Sequence, residues 1–207
     1  MIYRVESLNE KFIQTLKTRS PEEWLFGWLS FMLLEVPRFE ITGYHLSEAI
    51  ANNLQQAGMG LTLQGEAALL EKAPAVSTAI ETNFSVMPLA AIPFSIVCAA
   101  RGKKADIRGL HGLMNFQGID VISLLQRELF RFGAHTDFCD RSKLKVFDDQ
   151  PIHKKIGPVD VSKSNLLTLF FIPLVLRLGP MEMEIDKQVI EEYGAFIAML
   201  GFEMTAP

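Results

Sequence analysis

What this sequence has little of narrows its class before any motif is considered. Two cysteines, Cys98 and Cys139, occur in 207 residues, too few for a disulfide framework, so the chain is expected to rely on its core in a reducing compartment. The opening MIYRVESLNEK lacks the basic segment and apolar run of a secretory signal, and a cytoplasmic location is expected. Long apolar runs are scarce too. The longest uncharged stretch, residues 82–100, is broken by Pro88 and Pro93 and dotted with Asn and Ser, which argues against membrane insertion. The net charge is −4 and the basic residues are dispersed, with only short pairs such as Lys103-Lys104 and Lys154-Lys155. No basic stripe interleaved with aromatics offers itself to nucleic acid. There is no CxxC, HExxH, DxDxDG or Ser-elbow pattern. No fixed-period repeat and no linker divide the chain, so residues 1–207 read as a single globular domain.

What is abundant is apolar side chain. The composition is 49% hydrophobic, with 15 Phe and 9 Met against 21% charged residues, so the chain must fold or find a partner. Ser7-Leu8-Asn9-Glu10 has the form of a capping box and predicts a short helix to about residue 17. Ser20-Pro21-Glu22-Glu23 repeats the signature with Pro at the first helical position and two acids at the positive end of the helix dipole. Trp24, Leu25, Trp28, Leu29 and Met32 form one stripe of that helix, while Phe26, Phe31, Leu33 and Leu34 fall outside it. A helix apolar all round is either central to a fold or covered by another chain.

Further helices are expected over residues 45–57, ended by Gly58, over 66–72, over 121–132 with Asp120 as N-cap and Gly133 as stop, and over 187–200 after Asp186. Residues 59–63 and 144–147 read as strands, 64–65 as a turn, and 94–100 as a strand or a short helix. A loop bearing Pro and Lys is expected over 148–158. The near-alternation of 174–178 and 181–185 around Gly179-Pro180 predicts a β-hairpin, and the tail Phe202-Glu203-Met204 is mobile unless docked. The fold class is therefore α+β, with several helices packed on a small, mostly antiparallel sheet that includes a C-terminal hairpin.

The densest group of chemically capable residues is His135-Thr136-Asp137-Phe138-Cys139-Asp140. On a helix, His135 and Cys139 share a face and suit a metal or a Cys-His pair. On a strand, His135, Asp137 and Cys139 share one instead. Structural zinc wants four ligands, and a third or fourth could come from His111 or His153. The bland alternative is an edge histidine beside a half-buried thiol. Gly58-Met59-Gly60 follows a helix rather than a strand, the wrong context for a phosphate loop. Gly109-Leu110-His111-Gly112 has no partner for a histidine base nearby, and Glu191-Glu192 point apart on a helix.

Without a catalytic pattern, the excess of Phe, Met and Trp favours a non-catalytic, protein-binding adaptor or chaperone with no cofactor and no metal. Its candidate partner-binding residues are Trp24, Phe26, Trp28, Phe31, Phe196, Met199, Phe202 and Met204. Two alternatives are a thiol- or metal-dependent enzyme using Cys139 and His135, and a homo-oligomeric structural subunit with the Pro21 helix buried between copies. The stretch Gly58-Met59-Gly60-Leu61-Thr62-Leu63-Gln64-Gly65-Glu66-Ala67-Ala68-Leu69-Leu70 resembles bacterial type IVB (Dot/Icm) secretion adaptors, the IcmS-like small chaperones and, by size and character, LvgA-like adaptors. The resemblance implies a cytoplasmic subunit that associates with partner chaperones and the tail of a coupling ATPase and helps recruit effector proteins. No site residue is carried over from it.

Overall fold

The computed structural model describes residues 2–7, 15–34, 36–73, 79–116, 118–140, 142–147, 152–153, 158–179, 181–199 and 202–205. In chain order the elements are β1 (Ile2–Ser7), β2 (Thr15–Lys17), α1 (Pro21–Leu34), β3 (Arg38–Thr42), α2 (Glu48–Gln55), β4 (Met59–Gln64) and β5 (Ala67–Lys72). They continue with β6 (Ile80–Asn83), α3 (Ala91–Ala100), β7 (Ala105–Arg108), α4 (Val121–Arg131), β8 (Thr136–Cys139) and β9 (Lys143–Val146). The last are β10 (Val159–Asp160), α5 (Asn165–Leu178), β11 (Met181–Glu184), α6 (Lys187–Met199) and β12 (Phe202–Thr205). The class is α+β. Among the described residues no helix is long and apolar enough to cross a membrane.

These elements are one unit used three times. The first runs β2-α1-β3-α2-β4-β5 and builds a sheet ordered β2-β3-β5-β4; the second runs β6-α3-β7-α4-β8-β9 and builds β6-β7-β9-β8. The third runs β10-α5-β11-α6-β12 and is completed by the N-terminal strand β1, giving β10-β11-β1-β12. In every sheet the first pair is parallel and the other two pairs are antiparallel. The register also repeats. Lys17 pairs with Thr42, Asn83 with Arg108 and Asp160 with Glu184, each at the end of its two parallel strands. The expectation of no repeat is thus corrected at the level of topology and register.

The first helix of each unit is central. α1 is buried from Glu23 to Leu33, α3 from Ala91 to Ala99 and α5 from Leu166 to Val175. The three pack on one another, with Trp28 stacked on Phe94 (ring centroids 6.3 Å apart). They run the same way, because Arg101 at the end of α3 donates from Nη2 to the Met32 carbonyl (2.8 Å), and Arg177 in the last turn of α5 donates from Nη1 to that of Leu33 (3.0 Å). Two arginines thereby satisfy carbonyls that the end of α1 leaves unpaired. The second helices lie outside and are amphipathic: α4, for example, buries Val121, Ile122, Leu125 and Leu129. Full burial of a Leu, Phe or Met contributes roughly 1.5–3 kcal/mol, so the all-apolar helices are accounted for by the protein's own core.

Several boundaries agree with the sequence. Ser20 Oγ accepts from Glu23 N (3.2 Å), Asp120 caps α4, and Asp186 Oδ1 accepts from Gln188 N (2.8 Å) at α6. Gly58 and Gly133 both have positive φ where helices end. Residues 94–100 resolve as helix α3. Others do not agree. The C-terminal hairpin is absent, because residues 174–178 are the last turns of α5, capped by Ser164 and ended by Gly179 (φ 97°); an all-buried helix and an all-buried strand have the same unbroken apolar pattern. Residues 67–72 are strand β5, whose Ala68 and Leu70 alternate inward against β3 and β4. The helix expected from Ser7 meets a strand at either end, β1 through Ser7 and β2 over Thr15–Lys17, and residues 8–14 lie outside the described residues. The tail strand β12 pairs with β1. Most of the expected 148–158 loop, and Leu200 and Gly201, lie outside the described residues.

Candidate functional site

Because α1, α3 and α5 share a direction, the parallel strands of all three units deliver their chains to one end of the molecule, where the helices begin. A pocket of about 550 Å³ opens there among the starts of α1, α5 and α6. The first turn of α1 contributes Arg19, Ser20, Glu22 and Glu23; α5 contributes Asn165 and Leu166; α6 contributes Gln188, Glu192 and Tyr193. Phe116, from the segment before α4, closes one side.

Free helix N-termini attract anions. Here one N–H at each start is answered by a side chain of the chain itself, at α1 by Ser20 Oγ. At α1 the Glu23 carboxylate, 4% exposed, accepts from Arg19 N through Oε2 (2.7 Å) and from the Arg19 guanidinium through Oε1 (2.7 Å to Nη2). Ser164 Oγ takes Leu167 N at α5 (3.3 Å), and Asp186 takes Gln188 N at α6. Among the described residues that line it, the pocket holds three carboxylates, Glu22, Glu23 and Glu192, and one cation, Arg19, paired with Glu23. The Tyr193 hydroxyl is pushed well above its usual range, first by burial, then by its hydrogen bond to Glu192 and the field of Glu192, Glu22 and Glu23. It stays protonated, with its O–H given to Glu192 and its oxygen left as an acceptor.

The residues singled out by sequence lie elsewhere. His135 stacks on exposed Phe130 (6.0 Å) and precedes the edge strand β8. On β8, the Cys139 thiol donates to Asp137 Oδ2 (3.0 Å). That hydrogen bond, with some burial and the Asp137 charge, raises the thiol pKa and disfavours the nucleophilic thiolate. The ring of His153 packs on Gly133, His111 lies in a short 3-10 turn, and among the described residues no three His, Cys, Asp or Glu are grouped as metal ligands. The thiol- or metal-enzyme alternative is therefore corrected. Gly109 (φ 86°) is needed because a Cβ there would strike Ser85 N. Glu191 pairs with Lys187 (3.0 Å), while its neighbour Glu192 reaches the pocket.

Of the candidate partner-binding residues, Trp24, Phe26 and Trp28 have no exposed surface, Phe31 and Phe196 retain 2% and 4%, and Phe26 meets Phe196 edge-on (5.7 Å). Met199 belongs to α6, and Phe202 and Met204 belong to β12. Since α1 is buried inside one chain, the expectation that the Pro21 helix is buried between copies is corrected. The pocket residues were missed. Capping signals at Ser20 and Asp186 marked where helices start, but nothing in the sequence placed those starts side by side.

No protein-family model matches the chain, and no curated protein does. Solved structures do. An EPSP synthase from Acinetobacter baumannii superposes with a TM-score of 0.66 at 14% identity, covering 89% of this chain and 47% of that one. The enolpyruvyl transferase NikO from Streptomyces tendae gives 0.60 at 15%, covering 88% and 44%. A second structure of the A. baumannii EPSP synthase gives 0.60 at 13%, covering 89% and 46%. The chain thus shares the fold of enolpyruvyl transferases and spans about half the length of these proteins.

This likeness overturns the resemblance to Dot/Icm secretion adaptors. The stretch that carried it is the β4–β5 hairpin, half of a four-stranded sheet, and its glycines are turn and strand positions. The non-catalytic adaptor or chaperone expectation falls with it, as does the expectation that the chain is not an enzyme: this is a fold that transferases use.

Proposed function

We propose that the chain is one lobe of a small-molecule group-transfer enzyme of the enolpyruvyl-transferase type, binding the acceptor substrate in the pocket where α1, α5 and α6 begin. The observation that carries this reading is the pocket itself, about 550 Å³ and lined by hydrogen-bonding side chains, in a fold shared with transferases over 89% of the chain. An enolpyruvyl group bears a carboxylate, and among the described residues lining this pocket the one cation, Arg19, is paired with Glu23. The donor's charge is therefore met outside this pocket, by a second lobe making up the length that the transferases have in addition. The acceptor's hydroxyl or amine must lose a proton as it bonds to the enolpyruvyl carbon, while the bond from that carbon to the donor's leaving group breaks and the leaving group departs with the bonding pair. Glu192 and Glu22 are carboxylates positioned to take it, while Tyr193, Asn165 and Gln188 orient the acceptor through hydrogen bonds.

The test is amide chemical-shift mapping of the labelled chain titrated with sorbitol as a model acceptor. Saturable shifts confined to Ser20, Asn165, Gln188 and Tyr193, weakened in Gln188→Ala, support the reading. Saturable shifts elsewhere, or none, overturn it.

A further inference from the structure

The three units fix the passage from first strand to central helix in two different ways. In the first unit Gly43 lies so near the Thr18 carbonyl that a Cβ would strike it, and in the second Gly109 lies in the same way against Ser85 N. Both passages are thereby pinned from the neighbouring parallel strand. At the corresponding register of the third unit stands Ile185, fully buried and without positive φ, and a side chain there prevents so close an approach. The grip on this passage comes instead from another unit. Arg127 of α4 donates from Nη2 to the Asp160 carbonyl (2.9 Å), with the Asp160 carboxylate at 3.5 Å. The arginine is itself aimed by Glu128, whose side chain has no exposed surface and whose Oε1 accepts from Arg127 Nε (3.3 Å) and from Arg131 Nη1 (2.9 Å). Losing such partners would leave a buried charge unpaired, so the contact keeps the guanidinium in place.

From Asp160 the hold passes to the pocket in short steps. Ser164 N donates to the Val161 carbonyl (2.9 Å), buried Thr168 Oγ1 donates to the same carbonyl (3.0 Å), and Ser164 Oγ caps α5 at Leu167 N (3.3 Å). Asn165 and Leu166, the first residues of α5, line the pocket, whereas Arg127 is not among the described lining residues. Resting on the pocket reading above, we infer that Arg127 is a positioning residue: by gripping Asp160 from the second unit it fixes where α5 begins and so aims Asn165 at the bound acceptor.

The test is a double-mutant cycle of wild type, Arg127→Ala, Asn165→Ala and the two combined, read by the same sorbitol titration. Arg127→Ala is expected to shift the amides of residues 160–165 in the free protein while those of Ser20 and Gln188 stay in place. It should also weaken sorbitol about fivefold, the contribution of one hydrogen bond. In the Asn165→Ala background the same change should cost little, because residues that act through one another are not additive. Arg131→Ala removes another partner of Glu128 but leaves the Asp160 contact, so it should bind sorbitol like wild type, which separates positioning from a general loosening of α4. An unchanged affinity in Arg127→Ala, equal losses in both backgrounds, an equal loss in Arg131→Ala, or unmoved amides at 160–165 overturns the role of Arg127 while leaving the pocket as a site. Should Arg127→Ala not fold, Arg127→Lys takes its place in the cycle with the same outcomes, since it keeps a charge beside Glu128 but lacks the fork that reaches Asp160 as well. No saturable sorbitol shifts at the pocket of the wild type overturns the pocket reading itself, and this role with it.

Discussion

Replacing Gly43 by alanine tests the repeated geometry that brings the helix starts together. Gly43 follows the last residue of β3, has φ 97°, and lies so close to β2 that a Cβ would be driven into the Thr18 carbonyl oxygen. An L residue in this region of φ costs about 1–2 kcal/mol. Relieving the clash requires the end of β2 to move, which strains the bonds from Thr18 N (2.8 Å) and Thr18 Oγ1 (2.9 Å) to Thr42 O and from Tyr44 N to Thr18 Oγ1 (3.3 Å). At about 1 kcal/mol each, losing two or three brings the total to roughly 3–5 kcal/mol, a large share of the stability of an ordinary domain. Gly65→Ala is the internal control. Gly65 also has positive φ (61°), but nothing lies within 4 Å of its Cβ position, so only the conformational cost of about 1–2 kcal/mol applies. Gly109, at the equivalent register of the second unit with φ 86°, should behave like Gly43, since its Cβ would meet Ser85 N and Asn83 Oδ1. The assay is urea denaturation of the three variants beside the parent, read by circular dichroism. If Gly43→Ala and Gly109→Ala lose no more than Gly65→Ala, close strand packing is not what these glycines serve, and the equivalence of the units loses its energetic basis.

Two further outcomes concern the thiols. Asp137→Asn removes the carboxylate that holds the Cys139 proton, so alkylation of Cys139 by iodoacetamide at pH 7.5 should accelerate roughly threefold or more; an unchanged rate would show that Asp137 does not control this thiol. Burial pushes the Cys98 thiol up to about 12, above the value of about 8.5 of an unfolded chain. With the folded pKa raised, the stability contribution is complete below about pH 8.5 and declines as pH rises toward 12, because the unfolded chain releases its proton first. Urea midpoints of the parent should therefore fall more steeply than those of Cys98→Ala between pH 8.5 and 10.5, by at most about 1.4 kcal/mol per pH unit. Parallel slopes would mean that Cys98 is not buried as described.

What could be read from the sequence was set by neighbouring residues. Ser20-Pro21-Glu22-Glu23, Asp120, Gly133 and Asp186 mark helix ends because capping is a matter of side chain to backbone within one turn. The α+β class followed from the same local signals, as did the choice offered for α1 between a core helix and a covered one. Where distant partners decided between helix and strand, some readings went the other way. Residues 174–178 are helical because they continue from Ser164 through the middle of a bundle, and residues 67–72 are extended because β3 and β4 flank them. The repeat had a faint trace: Glu40-Ile41-Thr42-Gly43-Tyr44-His45 and Asp106-Ile107-Arg108-Gly109-Leu110-His111 share acid-Ile-x-Gly-x-His at matching register. In the third unit Glu182-Met183-Glu184-Ile185-Asp186-Lys187 keeps only the acid, and Ile185 takes the glycine's place without positive φ. The pocket left no trace at all. Its walls come from residues 19–23, 116, 165–166 and 188–193, and only the parallel packing of three buried helices, tied at their far ends by Arg101 and Arg177, puts those distant capping turns beside one another.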